Sequence, residues 1–202
     1  PVEAEDLTQE ALIRIITKLS TFRSEARFST WSHRILVNCF IARKRGKMEQ
    51  AIVGFERYGE ELDALIDDDA NPEAQVVVQE AQVGCMLGML LCLDREQRLV
   101  YVLGEIFETP SDVAAEILDV SAATFRKRLE RARRDLRQFM DAKCGLVRRS
   151  NPCRCRNKTK AFIEAGWVEP DNRRFVKEHV ARLQVIAHDA PQSFAAAEEA
   201  YA

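Results

Sequence analysis

The sequence predicts an all-α protein made of two small helical modules, an acidic linker between them and a C-terminal extension. Apolar residues recur every three or four positions in several segments, which is the spacing of helices with one buried face. The 202 residues, of which 47% are hydrophobic, suffice for two small domains. Acidic and basic residues are concentrated in different segments, so we expect those segments to have different roles.

We place the first module at residues 1–47, the linker at 48–71, the second module at 72–140 and the extension at 141–202. The chain opens without a methionine and already within a helical pattern, so we expect the first module to be N-terminally incomplete. No apolar run approaches the roughly 20 residues of a membrane-spanning helix, and no signal-peptide pattern is present. A cytoplasmic location is therefore expected.

The first predicted helix has an apolar stripe on one side and acidic residues in its first turns, where the helix dipole favours negative charge. The stripe consists of Leu7, Ala11, Leu12, Ile15 and Leu19. Taken alone, this pattern is that of a well-capped surface helix.

A short polar loop between Phe22 and Phe28 precedes the second predicted helix, which Ser29 can cap and on which Trp31 lies. A basic run from Arg43 to Lys47 closes this segment. Aromatic side chains beside basic ones are typical of surfaces that hold the unstacked bases of a single strand. Each aromatic residue taken singly fits a hydrophobic core as well, so the prediction rests on the combination.

The predicted linker lacks a sustained apolar period and carries a block of acidic residues with no basic residue among them. The block consists of Glu60, Glu61, Asp63, Asp67, Asp68, Asp69 and Glu73. A solvated, disordered connector is one interpretation of this composition. A connector that binds a specific partner is the other.

The segment from Thr109 to Met140 predicts two helices joined by a tight turn. Thr109 is the expected cap of the first helix, Asp119-Val120 breaks its pattern, and Ser121 is the expected cap of the second. The buried stripe of the second helix consists of Phe125, Leu129, Ala132 and Leu136. A short helix, a turn and a longer basic helix are the arrangement that places side chains in the major groove of DNA. A solvated amphipathic helix is the alternative.

The net charge of −2 conceals a strongly basic segment. Between Ser121 and Lys160 the chain has 14 Lys or Arg residues against 3 acidic ones. This local balance attracts phosphates strongly at low salt. Nucleic acid is therefore the predicted partner of this segment, although the chain as a whole is slightly acidic.

Two sequence patterns, one in each predicted module, resemble those of a known family. The run from Ala4 to Asn38 contains A-E-D-x-x-Q-E and then F-x-x-x-x-x-F-x-T-W-x-x-R-I-x-x-N. The run from Leu93 to Leu136 begins L-D-R-E-Q-R and contains A-T-F-R-K-R-L-E-R-A-R-R-D-L-R. In this order they resemble regions 2 and 4 of the bacterial sigma-70 family, in its extracytoplasmic-function group. Asp119 stands where that family has a glycine turn, and Asp94 stands where it has proline and can act as an N-cap.

The resemblance implies contacts for region 2. The first helix would dock on the clamp helices of the largest subunit of RNA polymerase through Asp6, Gln9, Glu10 and Arg14. A flipped base of the promoter −10 element would be captured, and the duplex opened, by Arg23, Ser24, Phe28, Trp31, Arg34, Asn38 and Arg43. The linker would pass through the RNA-exit channel, where its carboxylates stand in for RNA phosphates.

The resemblance also implies contacts for region 4, which would touch the polymerase flap and the promoter −35 element. The base edges in the major groove would be read by Arg126, Lys127, Glu130 and Arg131. Phosphates would be contacted by Thr124, Arg128, Arg133 and Arg134. No cofactor is required for these contacts, and an anti-sigma factor is a further partner that the resemblance allows.

The C-terminal extension contains Cys144, Cys153 and Cys155 within a dozen residues, with basic residues among them. Zinc on these three thiols is one interpretation, although the spacing lacks the paired C-x-x-C ligands of structural zinc sites. Redox regulation is a second, and an unligated basic tail is the third. Further on, one more amphipathic helix is predicted from Phe175, His179, Val180, Leu183 and Ile186.

The predicted function is that of a transcription initiation factor that binds core polymerase, recognises both promoter elements and promotes strand opening. The alternative is a helix-turn-helix, operator-binding regulator with a redox- or metal-responsive cysteine tail. Such a regulator would not need the aromatic loop or the acidic connector. Enzymatic activity is not predicted, because the sequence has no phosphate-cradling glycine loop, no paired catalytic acids and no nucleophile motif.

Overall fold

The computed structural model of the chain describes residues 2–46, 49–50, 54–65 and 75–169. Within these residues the regular secondary structure is helical, apart from one isolated backbone bridge between Cys144 and Cys153. The predicted all-α fold is therefore confirmed. None of the described helices is long and apolar enough to cross a bilayer.

The described α-helices are short to medium in length. They are α1 (Val2–Thr17), α2 (Phe28–Ala42), α3 (Gly54–Ala64), α4 (Gln75–Cys92), α5 (Arg95–Tyr101), α6 (Ser111–Leu118), α7 (Ala122–Lys143) and α8 (Cys155–Glu164). A short 3-10 helix, Leu19–Thr21, follows α1. A π-helical segment, Val102–Ile106, continues α5 and ends where the backbone N–H of Phe107 donates to the carbonyl of Val102 at 2.9 Å.

The described helices belong to two compact units. The first unit contains α1, α2, α5, the π-helical segment, α6 and the part of α7 up to Arg134. The second contains α3, α4, the remainder of α7 and α8. The first unit thus combines helices from both of the modules that the sequence predicts.

The core of the first unit forms where α2 packs against α1 and α6. The predicted stripe of α7 is confirmed, since Phe125, Leu129, Ala132 and Leu136 are all buried. The predicted stripe of α1 is only partly buried: Ala11 is in the core, whereas Leu12 and Leu19 are each 53% exposed. Leu19 lies beyond the end of α1 at Thr17. Among the described α-helices, α2 is the one that packs against α1.

Three predicted turn and cap positions are confirmed. Asp94 accepts a hydrogen bond from the backbone N–H of Gln97 at 2.7 Å, and the Gln97 side chain completes the capping box at the start of α5. Asp119 adopts the left-handed conformation, with φ 57° and ψ 44°, at the end of α6. Ser121 accepts a hydrogen bond from the N–H of Thr124 at 3.1 Å at the start of α7.

Two predicted caps are wrong. Pro110 occupies the N-cap position of α6, which has no side-chain cap bond, and the N–H of Thr109 instead donates to the carbonyl of Leu103 at 2.9 Å. Arg27 occupies the N-cap position of α2, so Ser29 lies inside the first turn of that helix. The N-cap of α6 therefore lies one residue after Thr109, and the N-cap of α2 lies two residues before Ser29.

Arg95, the first residue of α5, joins distant parts of the first unit. Its guanidinium makes a two-pronged ion pair with Glu49, with N–O distances of 2.8 and 2.7 Å. Its Nη1 also donates to the carbonyls of Arg43 at 2.6 Å, Ile41 at 3.1 Å and Phe40 at 3.3 Å. These carbonyls lie in the last turn of α2 or just beyond it, where the regular helical bonds end, so Arg95 supplies donors to that end of the helix. The arginine also stacks over the Phe40 ring at 5.2 Å.

Glu49 is a mostly buried acid whose neighbours favour its charged form. The hydrogen bond from Arg95 holds the pKa of Glu49 below its ordinary value, and the charges of Arg98 and Arg95 act in the same direction, while burial opposes them. Arg98 pairs with the same carboxylate at 3.2 Å. Since both arginines and Glu49 are largely buried, the three residues form a charged junction that is costly to break.

The second unit has Tyr58 of α3 at its centre. The side chain is only 1% exposed, and its hydroxyl donates to the carbonyl of Cys85 at 3.0 Å. A Cβ at Gly88 of α4 would lie 2.4 Å from the Tyr58 hydroxyl, so the ring needs glycine at that position. The Tyr58 ring also lies 5.8 Å from Phe139 and 6.3 Å from Trp167.

The structure therefore has a packed helix inside the segment predicted as a linker. Phe55, Tyr58 and Leu62 recur at helical spacing among the acids and form its apolar side. Asp63 pairs with Lys143, and the carbonyl of Leu65 accepts a hydrogen bond from Lys158 of α8. The predicted passage of this segment through the RNA-exit channel stays a prediction.

Some predicted features lie outside the described residues. They are the acids Asp67, Asp68, Asp69 and Glu73, the basic Lys47, and the predicted terminal helix with Phe175, His179, Val180, Leu183 and Ile186.

Candidate nucleic-acid interface

The exposed face of α7 lies opposite its buried stripe. Arg126, Lys127, Glu130 and Arg131 are all exposed, and we call these four residues the recognition face. At about 100° per residue they span an arc of roughly 140° on the helix. This face is free of the apolar contacts that hold α7 in place, which is the arrangement a major-groove helix requires.

The residues predicted to contact phosphates flank the recognition face and differ in their partners within the protein. Arg128 makes an exposed ion pair with Glu96 at 2.9 Å, which is worth about 1 kcal/mol or less. Arg133 is more buried and is held by Glu105, with an Nε–Oε1 distance of 2.8 Å. The hydroxyl of Thr124 is occupied by Ser121 at 2.8 Å. Arg134 is exposed.

Arg133 therefore has a structural role in addition to any contact with phosphate. Glu105 lies in the π-helical segment, so the ion pair ties that segment to α7. Nearby, the Cβ that Gly104 lacks would lie 2.7 Å from a Leu129 methyl group, so the backbone of the π segment lies close against α7. Sequence reasoning missed this contact, because an exposed arginine and one with a partner 28 residues away look the same in a helical pattern.

Three aromatic side chains meet at the start of α2, and we call Phe22, Phe28 and Trp31 the aromatic cluster. The ring centroids of Phe22 lie 5.6 Å from Phe28 and 5.3 Å from Trp31, and those of Phe28 and Trp31 are 5.6 Å apart. Phe28 is 48% exposed, so the cluster opens to the surface. The rings are inclined to one another by 36° to 83° and lie at distances typical of aromatic pairs, so they support one another and offer exposed apolar area against which a base can stack.

Arg34, one of the −10 candidates, links α2 to the turn between α6 and α7. Its guanidinium pairs with Asp119, the left-handed residue between α6 and α7, where α2 packs against α6. The Arg34 side chain is 42% exposed and Asp119 is 83% exposed, so solvent weakens this ion pair to about 1 kcal/mol or less. A DNA phosphate or base edge can compete with it.

The remaining −10 candidates lie around the aromatic cluster or further along α2. Arg23 and Ser24 are exposed in the loop, and Ser24 has a positive φ of 57°, which turns the chain before Phe28. Asn38 is exposed on α2. Arg43 follows α2, and its carbonyl belongs to the Arg95 junction.

The polymerase-binding candidates lie on the exposed side of α1. Asp6, Gln9, Glu10 and Arg14 are all exposed, and Arg14 pairs with Glu10 at 2.6 Å. Two apolar residues share their surface and were missed by sequence reasoning. Ile13 is 61% exposed and Ile16 is 71% exposed. Ile13 lies four residues from Gln9 and three from Glu10, which places it among the polar residues.

We call Asp6, Gln9, Glu10, Ile13, Arg14 and Ile16 the docking face. Exposed apolar side chains rimmed by polar ones mark binding surfaces in soluble proteins. A signal for these two isoleucines was present in the sequence, since Ile13 and Ile16 fall outside the predicted stripe of α1.

Comparison with known proteins identifies both segments. Residues 1–49 match the family described as Sigma-70 region 2, and residues 84–136 match the family described as Sigma-70, region 4. The ECF RNA polymerase sigma factor SigW of Bacillus subtilis is 34% identical over 140 residues, which are 67% of this chain and 74% of that protein.

Two further relatives agree. The ECF RNA polymerase sigma factor SigE of Mycolicibacterium smegmatis is 31% identical over 68% of this chain and 52% of its own length. The ECF RNA polymerase sigma-E factor of Escherichia coli K12 is 27% identical over 65% of this chain and 70% of its own length. Because region 2 and region 4 both match in the family's order, the operator-binding regulator is not favoured. The chain belongs to the extracytoplasmic-function group of the sigma-70 family and is a sigma factor of transcription initiation.

Proposed function

We propose that this sigma factor binds core RNA polymerase through the docking face, reads the −35 element with the recognition face and captures a −10 base at the aromatic cluster. The exposed recognition face, set opposite the buried stripe of α7, is the observation that carries this proposal. Run-off transcription with bacterial core polymerase on a promoter library tests it. Failure of the purified chain to associate with core polymerase would contradict it.

The division of labour within the recognition face follows from side-chain chemistry. Arg126 and Arg131 can donate two parallel hydrogen bonds to a guanine edge, and Glu130 can accept from a cytosine amine. Arg134 and Arg128 suit phosphates, which position the helix without specifying sequence. The weak Arg128–Glu96 pair exchanges Glu96 for a phosphate at little cost.

The sigma factor has no chemistry of its own in this proposal. It places the promoter at the active site of the polymerase and stabilises the opened strand. An anti-sigma factor that covers the docking face or the recognition face would silence it. The measurement that would overturn the non-catalytic assignment is turnover by the purified chain without polymerase.

Replacing Arg126 with alanine should relax sequence preference at one position of the −35 element. The loss of a two-pronged arginine contact to a base is expected to cost about 1–3 kcal/mol of discrimination there. Affinity measured on a set of single-base variants of the −35 element checks the result. Arg134→Ala is the matched control on the same helix, and it should weaken all sites evenly and reduce the salt dependence. An equal loss of affinity for all −35 variants with Arg126→Ala would show that Arg126 does not contact a base edge.

Replacing Ile13 with aspartate should weaken binding to core polymerase at least tenfold. The change puts a charge in the middle of an apolar contact that would be desolvated in the complex. Affinity for core polymerase, measured by fluorescence anisotropy of the labelled sigma factor, checks this. Leu146→Asp is the matched control, since Leu146 is similarly exposed at 50% but lies far along the chain from α1. Equal affinities for the Ile13 variant and the control would remove Ile13 from the docking face.

A further inference from the structure

The backbone bridge after α7 brings two cysteines together. Cys144 follows the last residue of α7, and Cys153 lies two residues before the start of α8. The two residues form an isolated parallel bridge, and the N–H of Gly145 donates to the carbonyl of Cys153 at 3.1 Å. A Cβ at position 145 would lie 2.3 Å from that carbonyl and 1.7 Å from Arg154 Nη1, so the close approach of the two backbone segments requires glycine.

The loop between these cysteines is held by its own polar groups. Asn151 donates from Nδ2 to the carbonyls of Asp141 at 2.9 Å and Cys144 at 3.2 Å. Arg154 donates to the carbonyl of Arg149 at 2.7 Å. The N–H of Arg148 donates to the carbonyl of Cys144 at 3.0 Å. The bridge is therefore a defined turn whose geometry many contacts fix.

The spacing of the bridge suits a disulfide. Neighbouring strands lie about 4.8 Å apart. Disulfides join cysteines whose Cα atoms are roughly 4.4–6.8 Å apart. Cys144 and Cys153 are both half-buried, so a small oxidant can reach them. No rearrangement of the chain is needed to bring their backbones within range.

The neighbouring thiols of Cys85 and Cys155 are less suited to disulfide formation. Burial raises the pKa of Cys85 to about 12, and it raises the pKa of Cys155 as well. A thiol that stays protonated is a poor nucleophile. Within the described part of the chain, no three Cys, His, Asp or Glu side chains are grouped as ligands for one metal ion. Pairing of two thiols is thus favoured over a shared metal site.

We propose that Cys144 and Cys153 are a redox pair that closes into an intramolecular disulfide when the protein meets a hydroperoxide. One thiolate attacks the peroxide O–O bond and becomes a sulfenic acid, and the peroxide oxygen that leaves takes up a proton as water or an alcohol. The second thiol displaces the sulfenic oxygen, which leaves as water, and the S–S bond forms. Two thiols lose two electrons and the peroxide gains them. A dithiol reductant reverses the reaction.

Peptide mapping of the full chain tests this proposal directly. The protein is treated with hydrogen peroxide, the remaining thiols are alkylated, and trypsin is added without reductant. Trypsin places Cys144 in residues 144–148, Cys153 in residues 150–154 and Cys155 in residues 155–156, so the three thiols are separated. The expected product is a linked pair of peptides 144–148 and 150–154. The free-thiol count should fall by two from the six cysteines of the chain and return with dithiothreitol.

Variants complete the experiment. Cys153→Ser and Cys144→Ala should each abolish the linked pair, whereas Cys92→Ala, in the same unit, should retain it. Circular dichroism of each reduced variant confirms that the helices are kept. Linkage through Cys155 or Cys85, linkage between two chains, or no linkage at peroxide concentrations that oxidise a free-thiol peptide would overturn the proposal. Zinc that copurifies with the chain and protects Cys144 and Cys153 from alkylation would overturn it too, in favour of a metal site.

Discussion

Replacing Arg95 with alanine is expected to lower the free energy of unfolding of the first unit by about 3 kcal/mol or more. The substitution leaves the carboxylate of Glu49 buried without its main partner and removes the donor to the carbonyls at the end of α2. Arg95→Lys should recover only part of the loss, because an ammonium group cannot make the two-pronged pair and reach the carbonyls together.

Urea unfolding followed by tryptophan fluorescence measures this loss. The chain has two tryptophans: Trp31 is in the first unit and Trp167 is in the second. A Trp167→Phe background therefore leaves Trp31 as the reporter of the first unit. Arg14→Ala is the matched control in the same unit, since Arg14 makes an exposed ion pair with Glu10 that is worth only a few tenths of a kcal/mol. A similar small loss for Arg95→Ala would contradict the importance of the junction.

The same junction predicts a dependence on pH. A carboxyl group whose pKa is lowered in the folded protein stabilises it above the ordinary value, here 4.5, and this stabilisation is lost as the pH falls through the lowered pKa. The free energy of unfolding should therefore fall in acid more steeply for the parent chain than for Glu49→Gln. Parallel curves for the two proteins would show that Glu49 is not held charged by Arg95.

Replacing Trp31 with alanine is expected to impair strand opening by roughly 5- to 150-fold while binding to the duplex −35 element is kept. A base stacked on an aromatic ring contributes about 1–3 kcal/mol, and this contribution is made only when the strand is open. Permanganate reactivity of thymines in the −10 element measures strand opening. Affinity for a short −35 duplex measures the binding that should be kept.

Trp31→Phe is the matched control, because it keeps an aromatic surface within the cluster. It should retain most of the opening activity. The remaining tryptophan, Trp167, lies in the second unit, so circular dichroism serves to show that the helices of the first unit are intact. Equal losses in duplex binding and in opening would show that Trp31 supports the fold of the first unit rather than the capture of a base.

The sequence predicted the parts of this structure that local chemistry decides. The buried stripe of α7, the left-handed turn at Asp119 and the cap at Asp94 each depend on residues within a few positions, so their patterns could be read directly. The caps at Thr109 and Ser29 were predicted wrongly, because the helices begin one and two residues away from the boundaries that these hydroxyls imply. Propensity alone cannot resolve such shifts.

Contacts between distant residues could not be predicted. The ion pair of Arg95 with Glu49 spans 46 positions, and that of Arg34 with Asp119 spans 85. Nothing in the local sequence distinguishes these arginines from solvated ones. Helix α3 was missed for a different reason: its apolar positions were read as part of an acidic connector, although Tyr58 is among the most buried side chains of the described chain.

The burial of Tyr58 decides where this protein can be cut for study. A recombinant fragment that starts at residue 72 would keep the whole region 4 match but lack α3. Without Tyr58, the space beside Gly88 would be empty, and the carbonyl of Cys85 would lose its hydrogen bond from the tyrosine hydroxyl. Such a fragment would expose apolar surface on α4 and aggregate. A fragment that begins before Gly54 retains α3, which covers that surface. Cloning boundaries should therefore follow the packing of α3 rather than the edges of the sequence family.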